Sequence, residues 1–382
     1  MQQQYDYIIT GAGCAGLSLL MRLLQEPTLC NKKILVIDEQ LKNKNDRTWC
    51  FWEKEEGLFE PIVHHQWSNL IFESANYHSS FSIAPYKYKM IHGIDFYNYV
   101  LQFASTFSNV EFVYEKVNNI YNQNNVAVVE LNNQKIEGAY IFNSILFKPP
   151  TLKKTDYYLL QHFKGWEIET AERVFDKQKA TFMDFTVSQQ HGTTFMYVLP
   201  TAANKALVEY TLFTEQLLPL EEYTQALQAY IEKKLDIKNY NITHEEFGII
   251  PMTNYLFPNN EGKIIYIGIA GGQAKGSSGY AFNFIQKRTT QIVQSLVKNN
   301  HPFTKRSLND KKFHLYDSVL LQVLQQKKMQ GADIFTAIFK KNKPQTVLQF
   351  LDNNSVFLQD LKIMSSVPTF VFLPAAIKEI LH

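Results

Sequence analysis

The chain has 382 residues, 45% hydrophobic and 19% charged, which excludes wholesale disorder and a long solvated coiled coil. Lys and Arg total 38 against 36 Asp and Glu, and a net charge of +2 gives no field for gripping a nucleic-acid backbone. The three cysteines, Cys14, Cys30 and Cys50, are odd in number and lack paired ligand spacing, so neither a disulfide scaffold nor a metal site is expected.

At roughly 150 residues per domain, the length suggests two or three units, large enough to fold without cross-links. No stretch of about 18 apolar residues points to a membrane span. The opening MQQQYDYIIT lacks a basic leader, so no signal peptide is expected and the cell interior is the default compartment. Aromatic residues reach 14%, suited to bulky cores or to the lining of a long apolar tunnel.

In chain order, residues 5–10 (YDYIIT) read as a short buried strand, broken by the glycine-rich 11–16. Leu17, Leu20, Met21 and Leu24 then fall at helical spacing, and 33–38 (KILVID) form a second buried strand. Segments 76–84, 181–187, 194–199 and 206–213, rich in Phe, Tyr, Val and Thr between turn residues, are expected to build a second sheet. Among them, 95–105 reads as a helix, 110–131 as a pair of strands around an Asn-rich turn, and 221–234 as an amphipathic helix. A third buried strand at 263–269 leads through glycines into a helix at 282–298, and the remainder is mostly helical.

The first turn, Gly11-x-Gly13-x-x-Gly16, lies between a strand and a helix. There the first glycine permits the turn, the second admits a pyrophosphate to the backbone, and the third lets helix and strand pack closely. Asp38 ends the second strand, where an acid accepts a hydrogen bond from a ribose hydroxyl. The motif alone does not separate FAD from NAD. A second cluster, with Gly268, Gly271, Gly272 and Gly279 before a helix, offers another contact for an extended cofactor and favours FAD.

Several stretches resemble the FAD-containing lycopene cyclases of bacterial and plant type. They are DRTWCFW at 46–52, QHFKGWEIE at 161–169, MDF at 183–185, FMYVLP at 195–200, VEYTLFTE at 208–215 and GIIPMT at 248–253. The 268–282 loop and the pieces YDS at 316–318, IF at 334–335 and FLD at 350–352 continue the likeness over essentially the whole chain. The resemblance implies an α/β fold: a Rossmann-like FAD domain interleaved with a β-sheet substrate domain, then a helical C-terminal region, as in hydroxybenzoate-hydroxylase-like flavoproteins. The FAD domain would occupy 1–75, 95–150 and 251–300, the substrate sheet 76–94 and 151–250, and the helical region 301–382.

The implied activity is acid-catalysed cyclisation of the linear ends of lycopene, or a related linear carotenoid, to β-rings. It uses reduced FAD and NAD(P)H as flavin reductant, at a peripheral contact on the cytoplasmic face of the membrane. Protonating an alkene calls for a carboxylic acid kept neutral by an apolar site. Glu209, on an otherwise apolar strand, matches the family's general acid. Alternation would put Leu207 and Thr211 on its face and Val208, Tyr210 and Leu212 opposite. Asp184, between Met183 and Phe185, is the second candidate carboxylate. Trp49, Trp52, Trp166 and Tyr280 are candidates to line the substrate site, with π faces turned to a cation. Arg47 is the candidate cation beside the flavin. The family usually has proline where Gly276 stands, so a looser loop is expected. The competing readings are a flavin monooxygenase or reductase acting on a polyene, and a flavoprotein that binds carotenoid without changing it. The apolar 367–373 (VPTFVFL) is a candidate membrane patch.

Overall fold

Tyr7, Ile8 and Ile9 are apolar on both sides of their strand because it is covered on both sides. In the computed structural model, which describes residues 4–381, Gln4–Thr10 sits inside an eight-stranded sheet. Its parallel core runs Ile264–Tyr266, Lys135–Asn143, Gln4–Thr10, Ile34–Asp38, Val110–Tyr114. Tyr7, Ile9, Ile34 and Val36 share a core with the helices Cys14–Gln25, Gly93–Ala104 and Phe282–Asn299. Ile8, Leu35 and Ile37 point the other way, toward the hairpin Asn119–Gln123/Val126–Glu130, as strand alternation requires. The Asn-rich turn of that hairpin puts Asn124 and Asn125 at φ +46° and +65°, which asparagine tolerates well. Segment 110–131 thus yields three strands, one of them in the parallel core.

The second sheet has seven strands in the order Asn241–Thr253, Tyr158–Glu169, Lys205–Thr214, Thr193–Ala202, Lys179–Asp184, Asn69–Ser74, Tyr77–Ser82. All its pairings are antiparallel except Lys179–Asp184 with Asn69–Ser74. Asn69–Ser74 comes from the segment assigned to the FAD domain, and Asn241–Thr253 runs past the expected boundary at 250. One face carries Trp166, Met196, Val208 and Tyr210 against the helix Leu220–Ala229, which continues as a wider turn over Tyr230–Lys234. The other face carries Phe182, Phe195 and Leu199 against the C-terminal helices through Phe335, Phe339 and Leu348.

A small sheet of Thr48–Glu53, Lys87–His92 and His65–Trp67 joins the helix-covered core of the first sheet, which takes Phe51, to the core under the C-terminal helices, which takes Trp52. Among the described residues the C-terminal region is five helices, Leu308–Gln325, Gly331–Lys341, Pro344–Leu351, Phe357–Met364 and Thr369–Ile380. The first is closed by a capping box, Ser307 with Asp310. The strand expected over 263–269 ends early, at Tyr266. Gly268 takes φ +63° and turns the chain into a short 3-10 segment.

Candidate active site

The turn after the first strand has the geometry a pyrophosphate needs. Gly11 lies at φ +93°, a conformation costly for any side chain. A Cβ on Gly16 would overlap the Gly11 carbonyl oxygen and come within 2.9 Å of Ile9 Cγ2, so glycine here sets the approach of helix to strand. A Cβ on Gly13 would meet nothing within 4 Å. Gly13 faces open space at the N-terminus of Cys14–Gln25, which has no side-chain cap, and free N–H groups with the positive helix end there suit a phosphate. Asp38 braces this turn: its Oδ2 accepts from the Ala12 N–H at 2.7 Å, and Lys42 lies 3.0 Å from its Oδ1.

From Gly13, Cys14 and Ala15 a cavity of about 410 Å³ extends to the seven-stranded sheet. Gly268 and Gly279 line it, at φ +63° and +69°, and a Cβ on Gly279 would overlap the Gln161 amide oxygen. Ala281 and Phe282 bring a second uncapped helix N-terminus, that of Phe282–Asn299, onto the same space. The open ground over Gly13, the two helix ends and the glycines of the second loop fit a dinucleotide such as FAD. Gly271 and Gly272 do not face this cavity. They line a separate one on the other side of the loop, because Gly268 and the left-handed Gly272 (φ +73°) reverse the chain. Gly276 also lies there, and a Cβ on it would come within 2.6 Å of the Thr253 carbonyl oxygen. Close packing, not looseness, accounts for the glycine.

Strand register assembles the far wall. Gly165 pairs with Glu209 on one side and with Glu246 on the other, so both glutamates share its face. Tyr197 is opposite Glu209 on the next strand, and Leu207, Leu199, Phe163 and Gln161 complete the same surface. Thr211 joins Glu209 on that face, donating to its Oε1 at 2.7 Å, while Val208, Tyr210 and Leu212 belong to the opposite core. Burial, then the charge of Glu246, raises the Glu209 carboxyl from the ordinary carboxylate range toward neutrality, against the Thr211 hydrogen bond. Burial likewise raises Glu246, opposed by hydrogen bonds from Thr48 and by the charge of Arg47. Glu246 is 7% exposed, and among the described residues its Oε2 has no partner; nor has Gln161 Oε1. Two desolvated carboxyls facing one cavity from the strands on either side of Gly165 favour states in which at least one keeps its proton.

Aromatic rings close the pocket. Trp49, Tyr88, Tyr197, Tyr280 and Phe282 line it, and the Tyr197 and Tyr280 hydroxyls lie 3.1 Å apart. Burial holds all three tyrosines, and Cys50 beside them, well above their ordinary pKa values, so they present neutral groups. Arg47 lines the cavity at its exposed end and is paired loosely with Asp46 at 3.8 Å.

Besides Gly271 and Gly272, three further expected site residues lie elsewhere. Trp166 is opposite Val208 and so points to the other face of the sheet, into the core under Leu220–Ala229. Trp52 is buried behind the cavity wall, edge-on to Tyr280 at 4.7 Å, with its Nε1 donating to the Leu348 carbonyl. Asp184 is fully buried and already occupied: it accepts from the Thr186 N–H and hydroxyl at 2.8 and 2.6 Å and from the Tyr230 hydroxyl at 2.6 Å. It ties the sheet to the helix behind it. Glu246, Tyr88, Tyr197 and Gln161 were not singled out from the sequence; Glu246 and Gln161 stand at even spacing from Gly248 and Gly165, and only register makes that spacing informative.

Outside the cavity, His64, His92 and Asp95 bring potential ligand atoms within 4.8 Å of one another. The two imidazoles stack at 3.9 Å, and burial lowers the pKa of both, which suits a neutral pair.

The architecture is that of FAD-binding flavoproteins. A geranylgeranyl bacteriochlorophyll reductase-like protein from Thermoplasma acidophilum superposes with a TM-score of 0.66 at 13% identity, covering 99% of this chain and 98% of that one. A flavoprotein/dehydrogenase from Cytophaga hutchinsonii gives 0.65 at 12%, covering 96% and 100%. Klebsiella pneumoniae HpxO, solved with FAD and uric acid, gives 0.64 at 11%, covering 92% and 96%. No curated protein sequence matches the chain significantly. The chain belongs to the lycopene cyclase family: the family model described as "Lycopene cyclase protein" matches residues 6–377.

Proposed function

We propose that the protein is a lycopene β-cyclase in which Glu209 is the general acid. The observation that carries this reading is a buried carboxyl, raised toward neutrality, in an aromatic cavity continuous with the glycine turn. Protonated Glu209 gives its proton to the terminal double bond of lycopene or a related linear carotenoid. The tertiary cation so formed is attacked by the neighbouring double bond, closing the ring. A ring proton then leaves to a carboxylate, Glu209 itself or Glu246 across Gly165, so atoms and charge balance and no net oxidation occurs. The rings of Tyr88, Tyr197, Tyr280 and Trp49 offer π faces to the cation, each worth roughly 0.5–2 kcal/mol, and carry no anion that would trap it.

FAD, held by Gly11, Gly13 and Gly16 with Gly268 and Gly279, would in its reduced form supply an electron-rich ring beside the cation, with NAD(P)H as its reductant. Arg47, which lines the cavity at its exposed end, would meet an anionic group of that cofactor.

The substrate dissolves in lipid, so the protein is read as a peripheral membrane enzyme. Among the described residues no helix is long and apolar enough to cross a membrane. On the last helix, Phe370, Leu373, Ile377 and Ile380 are exposed at i, i+3, i+7 and i+10, one continuous apolar stripe. Within 367–373, Val367 is buried in the helix core and Phe370 is 82% exposed, so the patch is narrower than that stretch and extends beyond it.

Pigment chromatography of lycopene-accumulating bacteria tests the assignment. The wild type should yield monocyclic and bicyclic products, and Glu209→Gln should leave lycopene, with rates down about 10²–10⁴-fold. Equal conversion by both would remove Glu209 from the mechanism.

A further inference from the structure

The second cavity, about 600 Å³, lies beyond the 271–276 turn, and Ile269 faces both cavities. Its lining is strongly cationic, six Lys and Arg side chains against Asp310 and Asp317. Most of that charge is uncompensated. Lys275 is paired with Asp317 and Lys287 with Asp352, but no ion pair is formed among the described residues by Arg288, Lys305, Arg306 or Lys311. Asp310 is turned to Ser307 in the helix cap, at 2.8 Å.

Arg288 is the unusual member. It is 8% exposed, its Nη2 donates to the Asn259 carbonyl at 3.1 Å and its Nη1 to the Thr304 hydroxyl, and its Nε has no acceptor among the described residues. Burial, and then the neighbouring charge of Arg306, pull its pKa down to about 10 against the opposing charge of Asp310. A buried cation beside a second cation, its one acting carboxylate Asp310 already engaged in the helix cap, is costly unless a further anion completes it. In the same cavity Gln273, 9% exposed, donates to the Gly271 carbonyl, and its Oε1 has no partner among the described residues. Tyr255, Phe257 and Phe284 add aromatic surface to the same walls. The volume lies within the roughly 300–1,000 Å³ usual for small-molecule sites.

We propose that this cavity is a nucleotide-binding site, with Arg288 and Arg306 taking the phosphate groups and the aromatic wall taking the planar base. Arginine suits this role because its planar fork matches phosphate oxygens. The site is separate from the flavin cavity and does not depend on the chemistry performed there.

Calorimetric titration of the FAD-loaded protein tests it, with ADP, inorganic phosphate and dihexanoyl-phosphatidic acid as the probes. The flavin absorption, read before titration, reports on the first cavity independently. The expected result is saturable binding of ADP at one site per chain, tighter than either other probe and weakened by salt. Arg306→Gln, a change at the exposed rim, should weaken ADP about tenfold or more while leaving the flavin spectrum unchanged. Arg288→Met should abolish binding; should it fail to fold, the Arg306→Gln and Lys311→Gln variants carry the test. Absence of ADP binding, binding unaltered in Arg306→Gln, displacement of FAD by ADP, or equal affinity for phosphate or the lipid would each overturn the proposal.

Discussion

Glu209 and Glu246 are both register partners of Gly165, on the two strands that flank it, and so reach one cavity from either side of a residue with no side chain. With neighbouring strands about 4.8 Å apart, their backbones stand roughly 10 Å from each other, and the space over Gly165 is where their side chains converge. A Cβ on Gly165 would come within 3.0 Å of Glu246 Cγ and 3.1 Å of Leu207 Cδ1.

Gly165→Ala should therefore act on the site before it acts on the fold. The methyl must displace Glu246 or Leu207, at a cost of about 1–3 kcal/mol. Urea unfolding should show that modest loss, while pigment assays show a much larger fall in turnover. Turnover equal to wild type would mean that the glutamate positions do not matter.

The pair also sets a pH dependence. Glu209 is raised by burial and by the charge of Glu246, so it keeps its proton above the usual carboxylate range and loses it as pH rises through the raised value. Cyclisation should fall on the alkaline side. Glu246→Gln removes the neighbouring charge, lowers the Glu209 pKa and should move that alkaline limb to lower pH in a pH–rate profile. For stability the sign is the same: carboxyls raised in the folded state stabilise it below their unfolded pKa, and that stability is lost as pH rises through the folded value. Replacing both by glutamine should protect the protein against alkaline unfolding, read as a smaller fall in Tm.

The glycine turn separates cofactor from fold. Gly13→Ala should keep wild-type stability, since its methyl enters open space, yet purify with little FAD because that space is where a phosphate would lie. Gly16→Ala should instead destabilise the fold, since its methyl would overlap the Gly11 carbonyl. Flavin absorbance and thermal unfolding, measured together, distinguish the two.

Much of this was legible in the chain because it depends on local geometry. The roles of Gly11, Gly13 and Gly16 are backbone roles fixed by spacing, and the face shared by Leu207, Glu209 and Thr211 follows from the two-residue period of a strand. Trp166 failed because aromatic content says nothing of face; its side is decided by pairing with Val208, 42 positions away. Asp184 has apolar neighbours in sequence, but its Tyr230 partner lies 46 residues on. Glu246 was hidden for a third reason. Its strand is at the sheet edge, with Glu245, Phe247 and Ile249 exposed around it, and a register shift at Glu167/Ile168 further obscures the pairing.

Phe370→Ser with Ile377→Ser should leave the fold intact, because both side chains are exposed, and should weaken binding to phospholipid vesicles. Co-sedimentation reads the effect directly. Undiminished binding would place the membrane contact elsewhere.

The central claim is that a proton, not a hydride, starts the reaction, and turnover of lycopene in deuterium oxide with NAD(P)H oxidation followed in parallel tests it most directly. The account predicts solvent deuterium in each new ring, product isomeric with substrate apart from that label, and nicotinamide oxidised well below one equivalent per ring. Product that gains hydrogen or oxygen with one equivalent of nicotinamide oxidised, and no solvent deuterium in the ring, would contradict it.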